Sequence, residues 1–340
     1  MDISIIICTY NRCRSLATVL ESIRNLNVPA PVEWETLVID NNSSDATREV
    51  VKRFSGSDKG CVRYIFEGRQ GKSYALNTGI NAARGDILAF TDDDVTVHQD
   101  WVRELLKIFN SHDCRGVGGK IIPVFAGGIP SWLRLEPPFL NPLVAFDLGA
   151  EPCVLTKEPF GANMAFRRGI FGTYGLFRTD LGPVEGNPMG KGEDSEFCSR
   201  LLAAGEPMMY AADAIVYHPV DENRLRKKYF ETWFFNFGKA SIARAPAVPG
   251  RVARLFGTPR YLYRRLVSKW LAWQFTFDGN RRFCRKLELC QAIGQVVESA
   301  RKNREPRSVA SVKQQATTDA AGVMPAAHDG MAGSGRNSYV

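Results

Sequence analysis

In the first hundred residues, short apolar runs alternate with segments whose apolar side chains recur at helical spacing, and few folds accept that alternation. Residues 3–8, 34–40, 61–66 and 86–91 read as buried strands. Between them, residues 14–26 put Leu16, Val19, Leu20 and Ile23 on one helical face. Residues 46–54 form a second helical segment, entered from the capping-rich run Asn41-Asn42-Ser43-Ser44-Asp45, and residues 72–83 a third. Strand–helix alternation of this kind predicts an α/β chain with a mostly parallel, doubly wound sheet and helices on both faces. Ligands of such sheets bind beyond the carboxyl ends of the strands. The residues placed there are Thr9-Tyr10-Asn11-Arg12, Asp40 and Asp92–Asp94.

Asp92, Asp93 and Asp94 follow the apolar run Ile87-Leu88-Ala89-Phe90 almost directly. Several negative charges at one strand end are costly unless something positive meets them. Mg2+ or Mn2+ suits the task, because both take carboxylate oxygens and leave positions open for phosphate. The plain alternative is a solvated acidic turn leading into the next helix.

Four further constellations lie along the chain. Thr9-Tyr10-Asn11-Arg12 offers backbone donors and an aromatic face suited to a nucleobase, or else is an ordinary strand–helix loop. Asp40 ends the second strand, where it can accept hydrogen bonds from a base or ribose or serve the helix start. Gly68-Arg69-Gln70-Gly71-Lys72-Ser73 is two residues too short for a Walker-type loop, so ATP hydrolysis of that type is excluded. Lys72 at a helix N-terminus still suits a diphosphate. Gly190-Lys191-Gly192 delivers Glu193 and Asp194 to a helix start, where a carboxylate near a hydroxyl can act as general base. A charged helix terminus is the structural alternative.

Taken together and in this order, these residues resemble the family 2 inverting glycosyltransferases over about residues 3–220. The resemblance is carried by Ile7-Cys8-Thr9-Tyr10-Asn11-Arg12, Val38-Ile39-Asp40-Asn41-x-Ser43-x-Asp45, Asn77-x-Gly79-Ile80-x-x-Ala83-x-Gly85-Asp86, Asp92-x-Asp94 and Glu193-Asp194. It implies the GT-A fold, a Rossmann-like nucleotide-diphospho-sugar transferase architecture. It also implies roles. Thr9, Tyr10, Asn11, Arg12 and Asp40 would bind the nucleotide of a sugar donor, Lys72 its ribose or diphosphate, and Asp92 and Asp93 the ribose or sugar. Asp94 would bind Mn2+ or Mg2+, with Asp92 assisting. Asp194 would deprotonate the acceptor hydroxyl, with Glu193 on the acceptor side. His218, after a later strand, would join the metal or serve structure. Asn163, in Phe160-Gly161-Ala162-Asn163, would touch sugar or acceptor or else pack. Processive members carry a Q-x-x-R-W motif and membrane spans. The run Arg224-Leu225-Arg226-Lys227-Lys228-Tyr229 is not that motif, so transfer of a single sugar is expected.

The catalytic part is expected over 1–223, with a nucleotide-sugar half at 1–95 and an acceptor half at 96–223. Residues 123–160, rich in Pro and Gly, read as a long irregular excursion that can form a lid or an acceptor surface. Residues 224–304 read as a basic amphipathic helical extension and 305–340 as a disordered tail. Net charge is +8, but residues 224–307 carry 20 Lys and Arg against five Asp and Glu, leaving the remainder acidic. Over residues 260–277, Leu262, Leu266, Trp270, Trp273 and Phe277 recur near helical spacing among Arg264, Arg265 and Lys269. Such a helix either packs on the catalytic part or rests on anionic lipid. No nucleic-acid reader motif accompanies the charge, so nucleic acid is not an expected partner. Eight scattered cysteines without a C-x-x-C pair, and no apolar run of membrane-spanning length, fit a cytoplasmic protein that can sit peripherally at the inner membrane face.

The expected activity is metal-dependent transfer of one sugar from a nucleoside-diphosphate sugar to a lipid-linked or glycan acceptor. The rivals are a catalytically silent sugar-nucleotide-binding scaffold and a nucleotidyltransferase. A scaffold needs no base, and a nucleotidyltransferase needs a Gly-rich basic loop after the first strand, where residues 9–14 hold no glycine.

Overall fold

A computed structural model describes residues 1–56, 61–184, 192–244 and 253–304. In chain order the first half holds β1 (Ile3–Thr9), α1 (Cys13–Arg24), β2 (Trp34–Asp40), α2 (Thr47–Phe54), β3 (Cys61–Phe66), α3 (Lys72–Ala82), β4 (Ile87–Asp92), β5 (Thr96–Val97) and α4 (Trp101–Ser111). Then come β6 (Gly116–Phe125), β7 (Cys153–Val154), β8 (Met164–Arg167), α5 (Gly169–Tyr174), α6 (Glu193–Ala203) and β9 (Met208–Val220). The C-terminal part holds α7 (Lys227–Arg244), the small hairpin β10 (Arg254–Leu255) and β11 (Thr258–Pro259), α8 (Arg260–Gln274) and α9 (Gly279–Arg304).

The strand order is β3-β2-β1-β4-β8-β6-β9-β5, with β7 added on β9. β1 lies between β2 and β4 with Ile3, Ile5, Ile6 and Ile7 fully buried, as a strand covered on both faces requires. The parallel expectation holds from β1 to β4. Register brings their carboxyl ends level, Thr9 beside Asp40 and Cys8 beside Asp92. Beyond β4 the sheet is mixed: β8 runs antiparallel to both β4 and β6, while β6 and β9 are parallel. Two glycines allow the close packing of this half. A Cβ on Gly79 of α3 would stand 2.6 Å from Ile6 Cγ2, and one on Gly85 would stand 2.4 Å from the Ser4 backbone nitrogen.

Of the two readings of Asn163, contact with sugar or acceptor and packing, its surroundings are those of packing. It is fully buried, and its amide donates to the carbonyls of Lys120 and Ala214 at 2.8 Å each, while its oxygen accepts from Trp101 Nε1 at 2.8 Å. These carbonyls flank the register shift where β9 bulges against β6, so Asn163 satisfies polar groups that the ladder leaves open.

The irregular stretch after β6 has a structural purpose. Leu133, Phe139 and Leu143 pack with Val220, with Phe230, Trp233 and Phe234 of α7, and with Phe283 and Leu287 of α9 in a second apolar cluster. The boundary expected at 223 therefore runs through one core. α7 and α9 cross closely at two glycines: a Cβ on Gly238 would stand 2.1 Å from Gln291 O, and one on Gly294 would stand 2.0 Å from Phe235 O. α8 packs on the outside of α9 and buries Leu262. The tail expected to be disordered from 305, and the Gly190-Lys191 part of the expected loop, lie outside the described residues.

Candidate active site

The loops that follow β1 and β2 are tied to one another before they meet any ligand. Asn11 has φ of 52°, a conformation Asn tolerates. Its Oδ1 accepts from Ser44 N at 2.7 Å, and its own N–H donates to Ser43 Oγ at 2.9 Å. Asp45 accepts from Cys13 N at 2.9 Å and from Thr47 N at 3.1 Å, so one carboxylate caps the starts of α1 and α2. Asp40 accepts from Ser43 N at 2.9 Å and from Tyr64 Oη at 2.7 Å, and with burial this pushes the Tyr64 phenol up to about 12. Asn11 and Asp40 thus spend their polar groups on the loops and do not line the cleft.

Asn41 shapes the approach to α3. It donates to Arg69 O at 2.7 Å and accepts from Gly71 N at 2.8 Å, while Gln70 Nε2 donates to Asn41 O at 2.6 Å. Gly71, at φ of 137°, turns the chain into α3 and delivers Lys72.

A cleft of about 970 Å³ opens at this edge of the sheet. It brings together Thr9, Tyr10 and Arg12 after β1, Lys72, Asp92–Asp94 after β4, Glu193 and Asp194 at the start of α6, and His218 near the end of β9. Of the residues predicted from sequence, these ten converge. Tyr10 is part-exposed with its ring available, and the Thr9 hydroxyl is buried beside Asp93.

The acidic strand end is neutralised by cations from other elements. Asp92 accepts from Lys72 Nζ at 2.6 Å. Burial alone would raise the Asp92 carboxyl, but the ammonium outweighs it and the net shift is down. Burial alone would lower the Lys72 ammonium, but Asp92 and Glu193 outweigh it and the net shift is up. Arg12 Nη1 spans Asp93 at 3.0 Å and Asp94 at 2.7 Å. Asp93 is buried, and that burial pushes its carboxyl up to about 6 despite Arg12. Arg224, on a single 3₁₀ turn after β9, lies 3.8 Å from Asp94 and 3.1 Å from His218 Nε2. Burial lowers the His218 imidazole against the opposing charge of Asp94, and Arg224 adds to the lowering.

Asp94 and His218 supply an oxygen and a nitrogen donor of the kinds Mn2+ takes, both at the cleft. Asp92 is engaged by Lys72 instead. No three His, Cys, Asp or Glu side chains converge as a ready cage among the described residues. An ion held here would draw its other ligands from a bound diphosphate or water, a pattern normal for such ions in phosphate sites.

The carboxylate of Asp194 is fixed by two backbone amides, Gly161 N at 2.9 Å and Ser195 N at 2.7 Å. Its neighbour Glu193 is buried, 3.8 Å from Lys72. Burial first, and then the charge of Asp194, push the Glu193 carboxyl up to about 7. The part that α7 plays at the far end of the cleft was not foreseen from sequence. The walls there include Phe146, Phe160 and, from α7, Tyr229, Trp233, Phe237 and Arg244. The aromatic run 229–237 was the only signal available, and it reads equally well as core.

The sequence model of the family described as "Glycosyl transferase family 2" matches residues 4–175. Succinoglycan biosynthesis protein ExoM of Rhizobium meliloti is 28% identical over 225 residues, covering 66% of this chain and 69% of the relative. A glucosyl-dolichyl phosphate glucuronosyltransferase of Haloferax volcanii is 26% identical over 234 residues, covering 66% and 71%. Among solved structures, the mannosyltransferase PcManGT from Pyrobaculum calidifontis, in complex with GDP-Man and Mn2+, superposes with a TM-score of 0.53 at 18% identity, covering 94% of this chain and 80% of that one. S. aureus TarS 1–349 with UDP-GlcNAc gives 0.52 at 15% identity, covering 92% and 84%. At these identities the two structures are likenesses of fold.

Glu193 yields a pH-dependent expectation. Between the ordinary carboxyl value and about 7, the folded chain keeps a proton that the unfolded chain releases. The stability owed to this group is therefore complete at low pH and declines as pH rises through that window. Glu193→Gln removes the titration, so its stability relative to the parent should rise from pH 5 to pH 8 by up to about 3 kcal/mol. Denaturant unfolding at the two pH values checks this; a difference that stays flat would show that Glu193 ionises at its ordinary value.

Proposed function

The chain belongs to glycosyl transferase family 2 and is a glycosyltransferase with the GT-A fold, and from that premise we propose that it transfers one sugar, with inversion, from a nucleoside-diphosphate sugar to a hydroxyl of a lipid-linked or polysaccharide precursor, using Mn2+ or Mg2+. One observation carries the reading: the fixed Asp194 carboxylate opens into the same cleft as Arg12, Lys72 and Asp94. A base, diphosphate-binding cations and a candidate metal ligand thus share one space.

In this reading Tyr10 and Thr9 receive the nucleoside, and Lys72 and Arg12 meet the diphosphate. Asp94 and His218 would hold the ion, which when bound would neutralise charge growing on the leaving diphosphate. Asp194 takes the proton from the acceptor hydroxyl as its oxygen attacks the anomeric carbon from the face opposite the leaving group. The two amides on Asp194 leave each of its oxygens a lone pair for that hydroxyl and set its direction. Glu193 stays behind it, buried and opposed to Lys72. GDP-Man and Mn2+ with the Pyrobaculum enzyme, and UDP-GlcNAc with TarS, support the donor class and a divalent ion. The names of two relatives, a succinoglycan biosynthesis protein and a glucosyl-dolichyl phosphate glucuronosyltransferase, support the acceptor class.

The acceptor reading extends to an anionic membrane surface. No helix among the described residues is long and apolar enough to cross a membrane. α8 nevertheless turns apolar and basic side chains outward together. Trp270 is 47% exposed, and Phe275 and Phe277 just beyond the helix are 72% and 88% exposed. Arg264 and Arg265 are exposed on the same helix. Aromatic and basic groups side by side suit the headgroup region of anionic lipid.

Asp194→Asn should keep nucleotide-sugar binding and lose transfer by roughly 10²–10⁴-fold, since the amide cannot take the proton. Calorimetry paired with a nucleoside diphosphate release assay reads both; near-normal transfer with normal donor affinity would remove Asp194 as the base. For the membrane, sedimentation with phosphatidylglycerol vesicles but not phosphatidylcholine vesicles is expected, at about 1 kcal/mol per basic side chain near the surface and weakening with salt. Folded, full-length protein that ignores anionic vesicles at low salt would leave α8 and α9 as packing elements alone.

A further inference from the structure

Three carboxylates and three cations meet at the end of β4, and they are not held equally. Asp92 and Lys72 are in direct contact at 2.6 Å. Arg12 is in direct contact with Asp93 and Asp94 at 3.0 and 2.7 Å. Arg224 is the looser member, 3.8 Å from Asp94, with its side chain 24% exposed at the cleft. It also stands 3.1 Å from His218 Nε2. A guanidinium has donors and no lone pair, so in that contact Nε2 accepts. The lone pair that His218 would offer a metal is thus covered by Arg224, as is one face of Asp94. Arg224 thus approaches both candidate ligands, sharing Asp94 Oδ2 with the closer Arg12.

We propose that Arg224 is a built-in counter-ion for Asp94 and His218, a positioning residue that holds off a divalent cation until a nucleoside diphosphate arrives and then passes to the phosphates. The inference rests on the metal-dependent reading above. The charges give the reason. A bare dication entering a cluster of three carboxylates and three cations must displace a like charge that has no other anion to meet. A diphosphate alone brings negative charge to three carboxylates already in place. Together the two nearly cancel, and the diphosphate gives Arg224 a new partner. Arg12 is not the one to move, because it contacts two carboxylates directly and buried Asp93 depends on it. Metal and nucleotide then strengthen each other's binding, and by the same factor in both directions.

The test is Mn2+ binding followed by electron paramagnetic resonance of the free ion, with MnCl2 alone and with UDP or GDP added. The parent enzyme should take Mn2+ weakly alone and about 5- to 150-fold more tightly with its nucleotide. Arg224→Gln should bind Mn2+ alone about tenfold more tightly or better, and lose most of the nucleotide enhancement. Arg224→Lys keeps the charge and should behave as the parent does. A folded Gln variant whose Mn2+ affinity without nucleotide equals the parent's overturns the counter-ion role while leaving metal dependence standing. Parent enzyme that binds nucleotide yet takes no Mn2+ with or without it sinks the metal reading and this inference together. Should circular dichroism show the Gln variant unfolded, the parent's own titration decides, since Mn2+ affinity indifferent to nucleotide contradicts the proposal.

Discussion

Neutralisation of the acidic strand end is the constraint on which the rest of the site depends. Asp92, Asp93 and Asp94 are consecutive, so the chain cannot separate them, and Asp93 is buried. Their charges are met by Lys72 from α3, Arg12 from the loop after β1 and Arg224 from the turn after β9. Each of those elements is held by contacts made for that purpose. Asn41 and Gly71 set the entry to α3, Asn11 and Asp45 lock the first loop, and β9 is fixed by its ladder with β6. A part-buried cation that lost its carboxylate would be left uncompensated, so the cluster binds sequence-distant elements into one site.

The same cluster links fold to chemistry. Strands level at their carboxyl ends put Thr9, Asp40 and Asp92 side by side, and the sheet's mixed half swings α6 across so that Asp194 opens into the same cleft. The C-terminal helices complete it. α7 supplies the aromatic far wall, α9 backs α7 through two glycine crossings, and α8 carries the exposed aromatic and basic surface on the outside. The aromatic wall of the cleft and the proposed lipid-facing surface are therefore joined through α9, which packs on both α7 and α8.

Much of the N-terminal half was legible in the sequence. Residues 34–40 and 61–66 are strands at the expected limits, because their apolar runs end in turn-forming residues. Local patterning cannot report pairing, which is where reading stopped. The antiparallel course of β8 follows from a crossover made of residues 123–160, whose irregular run carries no periodicity. Asn11, Asp40 and Asn163 carried ligand-contact readings, for Asp40 and Asn163 beside a structural one, because short polar side chains look alike whether they face a ligand or satisfy buried backbone. Only their partners tell them apart, and those lie 3 to 62 residues away. Arg224 was noted as part of a basic run, yet its importance comes from Asp94, which is distant in sequence.

The central claim is that the cleft takes a nucleoside-diphosphate sugar together with a divalent ion held through Asp94. Calorimetric titration of the cognate sugar nucleotide into the parent enzyme and into Asp94→Ala, each with and without Mn2+, tests it most directly. The account predicts that Mn2+ strengthens donor binding to the parent and has no effect on the folded variant. Equal Mn2+ enhancement in both proteins would contradict it.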